Sequence, residues 1–312
     1  MPDSAAEVPK LSTPDEYLKS IIRQREEIAD FDTTATLYRY CWEIMHDIDT
    51  AIAHEFPEMV KQADEPKDVV VHDSFVTVNR EQVYLGSGVK AGPGAIIDAS
   101  DGPVFIGDFT RIEPQAAIYG PCYIGPNSVV VAGKIAGSSI GHTSRVGGEV
   151  EESVFQSYVN KYHAGFIGHS YVGSWVNFGA MTTNSDLKNN YSNIRVSLHG
   201  ESIDTGSIKV GSFIGDHTKF GIGTLLNTGI NIGVCCNIFG GSLIADKEIP
   251  SFRWGNSNGY QDYDIDKAIE TMRRTAGRRG VDLSDQEEAL LRSIAQGRAS
   301  TEGALDWSSV LS

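Results

Sequence analysis

The chain has 312 residues, 40% of them hydrophobic, enough for a sizeable core in one to three domains. Its net charge of −15 argues against non-specific nucleic-acid binding, because a phosphate backbone would repel it. No stretch approaches the run of about 20 apolar residues that crosses a membrane, and Met1 to Lys10 is polar, without the apolar centre of a secretion signal.

Residues 1–66 predict helices. Thr13-Pro14-Asp15-Glu16 combines a cap, an early proline and first-turn acids, and Tyr17, Ile21, Ile22 and Ile28 follow as one apolar stripe. A second helix is expected from about Ala35 to Val60, where Leu37, Tyr38, Cys41, Trp42, Met45, Ile48 and Ile52 recur at spacings of three and four. Such a face must pack on something, either the first coils of the next segment or another subunit.

Residues 67–247 carry a six-residue beat. Ile106, Ile112, Ile118, Ile124 and Val130 lie six apart. The beat returns at Phe166, Val172 and Phe178, and again from Ile214 through Phe220, Leu226, Ile232 and Ile238 to Ile244. A period of six fits neither an α-helix nor a hairpin array. It predicts a mainly β fold, a parallel β-helix in which each hexad forms one flat face of a triangular coil and the aliphatic residue points inward. Glycine often follows that residue, as at Ile106-Gly107, Ile124-Gly125 and Ile214-Gly215, and is expected to turn the corner with an unusual φ. The phase breaks between Val130 and Ile140, so a corner there is irregular. The polar segment from Asn184 to Ser207 reads as a loop extruded from the coil, a natural carrier of function.

Residues 248–312 leave the coil at Pro250. Ile265, Ile269 and Met272 mark a short helix, and Leu283-Ser284-Asp285 caps a last one with Ala289, Leu290, Ile294 and Ala295. The basic runs Arg273-Arg274 and Arg278-Arg279 read as solvated helix ends complementing the dipole; the other reading is contact with an anionic ligand. Of the four cysteines, Cys235 and Cys236 sit inside a hexad, where small core filler is wanted. No CxxC or zinc-ribbon spacing occurs, and cysteines used as core filler are expected in a reduced cytoplasm.

No nucleotide-binding GxxxxGK[ST] occurs. Among eight histidines, His163 lies in Asn160-Lys161-Tyr162-His163-Ala164-Gly165, where the hexads are least regular and most polar. Glu149 and Glu151, just upstream, are carboxylates able to orient an imidazole and raise the basicity of its other nitrogen. Such a base can take a proton from an attacking amine. A metal lyase on the same coil would need three converging histidines; His163 and His169 are six apart, on neighbouring faces.

The run from Val146 to Tyr191, VGGEVEESVFQSYVNKYHAGFIGHSYVGSWVNFGAMTTNSDLKNNY, resembles the acetyltransferase half of the bifunctional N-acetylglucosamine-1-phosphate uridyltransferase/glucosamine-1-phosphate N-acetyltransferase family, in its divergent Bacteroidetes-type branch. Glu201 to Gly241 and Phe252 to Tyr260 resemble the same branch. The resemblance implies a left-handed β-helix, usually a homotrimer, an exception to right-handed parallel crossovers. It implies His163 as the general base and Glu149 as the residue orienting it. Asn177, in Val176-Asn177-Phe178-Gly179-Ala180, would contact the amino sugar. Thr183 and Asn184 would line the acetyl-CoA site, with Ala180 and Gly240 as small corners along which the pantetheine arm lies. No metal is implied for the transfer.

The departures from the family bear on the acceptor. Glu113 and Glu151 stand where the family has phosphate-binding cations, and Phe166 where it has a tyrosine. Two anions in place of two cations would repel a phosphate. Either other cations take over, with Arg111, Arg145, Lys161 and Lys188 as the candidates, or the acceptor is not a sugar 1-phosphate. The resemblance finds no counterpart of the family's uridyltransferase half in the chain, and a separate nucleotidyltransferase is a candidate partner. The implied activity is acetyl transfer from acetyl-CoA to the amine of an amino sugar phosphate resembling glucosamine 1-phosphate. The competing readings are a non-catalytic scaffold or sensor and the metal lyase.

Overall fold

The computed structural model describes residues 36–297, and the compact unit of interest begins at Arg39. The helix expected from Thr13 lies outside the described residues. The hexads form a parallel β-helix. One face stacks nine strands, from Val83–Leu85 at one end to Glu248–Ile249 at the other, each parallel to its neighbours. Ile106 pairs with Ile124 and Ile214 with Ile232, so a regular coil consumes eighteen residues, or three hexads. Ile106, Ile112, Ile118, Ile124 and Val130 all point inward and are at most 1% exposed. Each such side chain contributes about 2 kcal/mol by leaving water.

The glycines after the inward residues act differently from the expectation. The left-handed backbone falls three residues after the inward side chain instead, at Phe109, Asn127, Thr143, Tyr158, Trp175 and His217. The glycine directly after it is needed because coils touch there. A Cβ on Gly125 would sit 2.6 Å from the backbone nitrogen of His142, and one on Gly215 2.6 Å from the carbonyl carbon of Gly233. Neither neighbour is a flexible side chain. Gly125→Ala is therefore expected to lower stability by about 1–3 kcal/mol, as overpacking does, measured by denaturant unfolding.

The beat slips by one residue in the middle of the coil. Ile167 is fully buried and Phe166 points outward, so the inward series runs Phe155, Lys161, Ile167, then Val172, Phe178 and Asn184. A polar residue thus occupies two core positions. The irregular corner after Val130 is a bulge in the strand Val129–Ala136, where Gly133 takes φ 146.

The extruded loop starts after Asn184, which belongs to the coil. The loop folds into an antiparallel hairpin, Arg195–Leu198 against Glu201–Asp204. Its Ile194 and Val196 join Val210 and Phe213 in a second apolar cluster. That cluster receives the amphipathic helix, which is two helices broken at Asp47: α1 (Cys41–His46) and α2 (Ile48–Gln62). Trp42 and Met45 of α1 pack on the loop cluster, not on the first coils. The loop supplies the apolar surface this face needs.

Pro250 does not end the coil. Arg253–Asn256 still pairs in parallel with Asn237–Ile238 before turning back as a hairpin. Two helices follow, α3 (Ile265–Gly277) and α4 (Asp285–Gly297). Ala268, Met272 and Leu291 cover Cys235 and Phe252 on the coil's flank. All four cysteines are free thiols. Cys236 is inside the coil core, and burial pushes the Cys122 thiol up to about 12, so these are inert filler.

Candidate active site

His163 stands on a corner of the coil, with its side chain exposed and its ring edge-on to Tyr162 at 5.3 Å. The corner continues upward in register. Met181 N donates to Ala164 O at 2.8 Å, and Gly223 N donates to Ala180 O at 2.8 Å. Ala180–Met181, Gly221–Gly223 and Phe239–Gly241 then line an open, mainly apolar groove of about 650 Å³ along the coil axis. His163 therefore sits at the foot of this groove, one coil below Met181. The small residues Ala180 and Gly240 leave the channel clear, while Met181 and Ile222, both strongly exposed, supply its apolar rim.

The corner that carries His163 is held from inside. Lys161, 1% exposed, donates from Nζ to the carbonyls of Gly147 at 2.8 Å, His163 at 3.1 Å and Gly165 at 2.7 Å. Burial pushes its ammonium down to about 8, so at neutral pH it remains the cation those three carbonyls need. Lys161 is thus a corner clamp, not a cation facing substrate.

The other expected residues divide. Glu149 lies in the strand Arg145–Glu151, paired with Phe166 in the coil above, but among the described residues no hydrogen bond joins its carboxylate to His163. Its neighbour is Lys134, 3.9 Å away, which also binds Glu151. Lys134 escaped the sequence reading because the bulge after Val130 hides its register with Glu149. Arg111 is paired with Glu113 at 2.8 Å, and Lys188 is tied within the loop to the Asn193 carbonyl at 2.6 Å. Neither is a free phosphate ligand.

Thr183 and Asn184 are turned to structural tasks. Thr183 Oγ1 accepts from Phe166 N at 2.7 Å and donates to Phe166 O at 3.1 Å. Asn184, 4% exposed, accepts from Gly168 N at 3.0 Å and donates to Gly168 O and Ser170 Oγ, both at 3.0 Å. Its place in the series Val172, Phe178, Asn184 was the available signal for this inward role. These two residues do not line the groove; Ala180 and Gly240 do.

Asn177 and Arg145 come together elsewhere, in a smaller cavity of about 130 Å³ on the flank covered by α3. Asn177 Oδ1 accepts from Asn160 Nδ2 at 2.8 Å. The other histidine in the region, His169, is 2% exposed and clamped between Asp186 and Glu152. Among the described residues no group of three or more His, Cys, Asp or Glu side chains is placed to hold a metal.

The fold and this corner define a hexad-built parallel β-helix with a histidine at the foot of an apolar groove. The chain is similar to a bifunctional sugar-1-phosphate nucleotidylyltransferase/acetyltransferase from Sulfurisphaera tokodaii, at 31% identity over 122 residues, 39% of this chain and 28% of that protein. It is similar to the bifunctional protein GlmU of Methanococcus vannielii at 29% identity over 134 residues, 43% of this chain and 30% of that protein. The chain thus spans less than a third of the length of these curated relatives. Among solved structures, a UDP-N-acetylglucosamine acyltransferase from Campylobacter jejuni matches at 16% identity over 75% of this chain and 86% of that one, with a TM-score of 0.42. No family model matches the chain.

Proposed function

We propose that the protein is an acetyl-CoA-dependent N-acetyltransferase whose acceptor is an amino sugar phosphate. The observation that carries the reading is His163 at the foot of the groove formed by Ala180, Met181, Gly221–Gly223 and Phe239–Gly241. A slender, largely apolar acyl-carrying arm fits such a channel, and its thioester would then lie beside an exposed imidazole. The relatives named above include an acetyltransferase activity, which agrees with this chemistry.

The step is direct transfer. The acceptor amine attacks the thioester carbonyl, the N–C bond forms as the C–S bond breaks, and His163 Nδ1 or Nε2 removes the amine proton. The departing thiolate then takes up a proton. Glu149 is the carboxylate proposed to orient His163 once substrates are bound, and Asn177 the residue proposed to meet the sugar. Most of the rate comes from holding two substrates together. A single convex coil corner encloses neither, so the working unit is proposed to be a homotrimer, with a neighbouring subunit closing the groove. No described helix is long and apolar enough to cross a membrane, and a cytoplasmic location is proposed.

A thiol-release assay with acetyl-CoA tests the reading against glucosamine 1-phosphate, galactosamine 1-phosphate, glucosamine 6-phosphate, UDP-amino sugars and free amino sugars. Release with at least one acceptor is the expected result. Acetyl-CoA binding with no release across the panel would turn the assignment to a scaffold or sensor. Ala180→Trp, which fills the groove without touching His163, is expected to raise the KM for acetyl-CoA by about tenfold or more, the scale of one lost packing interaction. An unchanged KM would take the acyl donor out of this groove.

A further inference from the structure

The flank cavity gathers four cations and no acid. Arg145 comes from the strand Arg145–Glu151, Lys219 from the strand Lys219–Phe220, and Arg278 and Arg279 from the end of α3. Tyr158 and Trp175, stacked at 4.0 Å with an interplanar angle of 3°, form its wall, and the Asn160–Asn177 pair adds amide edges. Among the described residues none of the three arginines has a carboxylate partner. The nearby acids are engaged: Asp216 accepts from Ser174 N at 2.6 Å, Glu287 from Ser284 Oγ at 2.8 Å, and Glu288 pairs with Arg273 and Arg292. Arg273 and Arg274 are thus tied up in ion pairs, whereas the second basic run, Arg278-Arg279, is turned into the cavity.

This arrangement costs the folded chain free energy. Burial together with Arg145 and Arg278 pulls the Arg279 guanidinium below its usual range, and burial holds the Lys219 ammonium down to about 8. His217, lying parallel to Trp175 at 6.2 Å, is pushed down to about 4 by burial and then by Lys219, so it is neutral near pH 7 and adds no fifth charge. Lys219 donates to the Trp175 carbonyl, which fixes the ammonium at the cavity wall. Like charges assembled without acids in a partly enclosed space call for an anion. A volume of about 130 Å³ has room for roughly four waters at about 30 Å³ each. That suits one phosphoryl group with a water.

We infer that the cavity formed by Arg145, Lys219, Arg278 and Arg279 is a phosphoryl-binding site, holding the phosphomonoester end of a ligand whose remainder leaves through the cavity mouth. The forks of three arginines offer the paired N–H donors that phosphate oxygens accept. Neither Glu113 nor Glu151 lines this cavity. The ligand's phosphate has two possible sources in the proposed reaction, the acceptor sugar phosphate and the ribose phosphate of coenzyme A. Binding itself does not depend on the transferase assignment, because it is read without turnover.

The test is thermal unfolding of the full chain against inorganic phosphate at constant ionic strength, with chloride as the control. The melting temperature is expected to climb with phosphate and not with chloride, as mass action requires for a ligand of the native state. Arg279→Gln and, separately, Arg145→Gln should each weaken phosphate binding by about tenfold or more, the scale of one charge-assisted hydrogen bond. Without phosphate each should melt no lower than the parent, since a repulsion has been removed. The Arg145 side chain is exposed at the start of its strand, so its variant remains informative if the Arg279 variant fails to fold. Competition by glucosamine 1-phosphate would assign the acceptor as source; competition by coenzyme A but not by dephospho-coenzyme A would assign the ribose phosphate. No phosphate-dependent rise in the parent protein, or an equal rise in parent and both variants, would overturn the inference.

Discussion

Replacing His163 with alanine should lower turnover by about 10²–10⁴ while leaving the melting temperature where it was, the signature of a lost general base. The second half of that expectation comes from the structure. The His163 side chain is exposed, and its one described contact is the ring of Tyr162. Only its backbone carbonyl is built into the fold, through the Lys161 ammonium, and alanine keeps that carbonyl. A drop in kcat with little change in KM for acetyl-CoA separates loss of the base from collapse of the groove. A His163→Ala enzyme that turns over at the parent rate would remove the imidazole from the chemistry, and transfer would then need another base on the same corner. A surviving rate would send the search to Tyr162, whose ring lies 5.3 Å from that of His163, and to Glu149.

The six-residue beat was legible because a β-helix repeats one physical demand, an aliphatic side chain at each inward position, at fixed spacing. The same regularity made polar exceptions readable in principle. Lys161 lies six after Phe155 and Asn184 six after Phe178, so both occupy inward positions, yet a polar residue type draws attention to solvent and ligands instead. Phe166 misled for the opposite reason: its ring looks like core, while the adjacent Ile167 takes the inward place. Neither Lys134 nor the four-cation cavity could be found by local pattern. Lys134 reaches Glu149 and Glu151 through a bulge that shifts the register. Arg278 and Arg279 meet Arg145 only because the apolar face of α3, through Ala268 and Met272, docks on the flank of the coil. Contacts across more than a hundred residues depend on that docking, and no spacing records it.

The second large effect concerns stability and its dependence on pH. His169 is 2% exposed, with Nδ1 2.7 Å from Asp186 Oδ2 and Nε2 2.9 Å from Glu152 Oε2. Burial alone would favour the neutral ring, but the hydrogen bonds and charges of Asp186 and Glu152 outweigh it and lift His169 to about 9. The other groups facing the cluster are Asp49 of α2, whose carboxyl is raised by burial and by Glu152, and Lys209 beyond the loop, which lowers both paired carboxylates. The imidazolium therefore holds the root of the extruded loop, through Asp186, against the coil. A histidine with a folded pKa near 9 and an unfolded value near 6.5 contributes stability that is fully present below about pH 6.5 and is lost as pH rises through about 9. The shift corresponds to about 2–3 kcal/mol, the lower end because Glu152 is half exposed and partly screened. The two carboxylates, whose pKa values are lowered, carry the same pairing at the acid end, where it is lost as pH falls below their ordinary range. His169→Gln should thus be less stable than the parent by about that amount at pH 6, and the gap should close by about pH 10. Denaturant unfolding of both proteins at the two pH values decides it. A gap of the same size at both would mean that the ring contributes packing alone, and that the charge on His169 does not hold the loop to the coil.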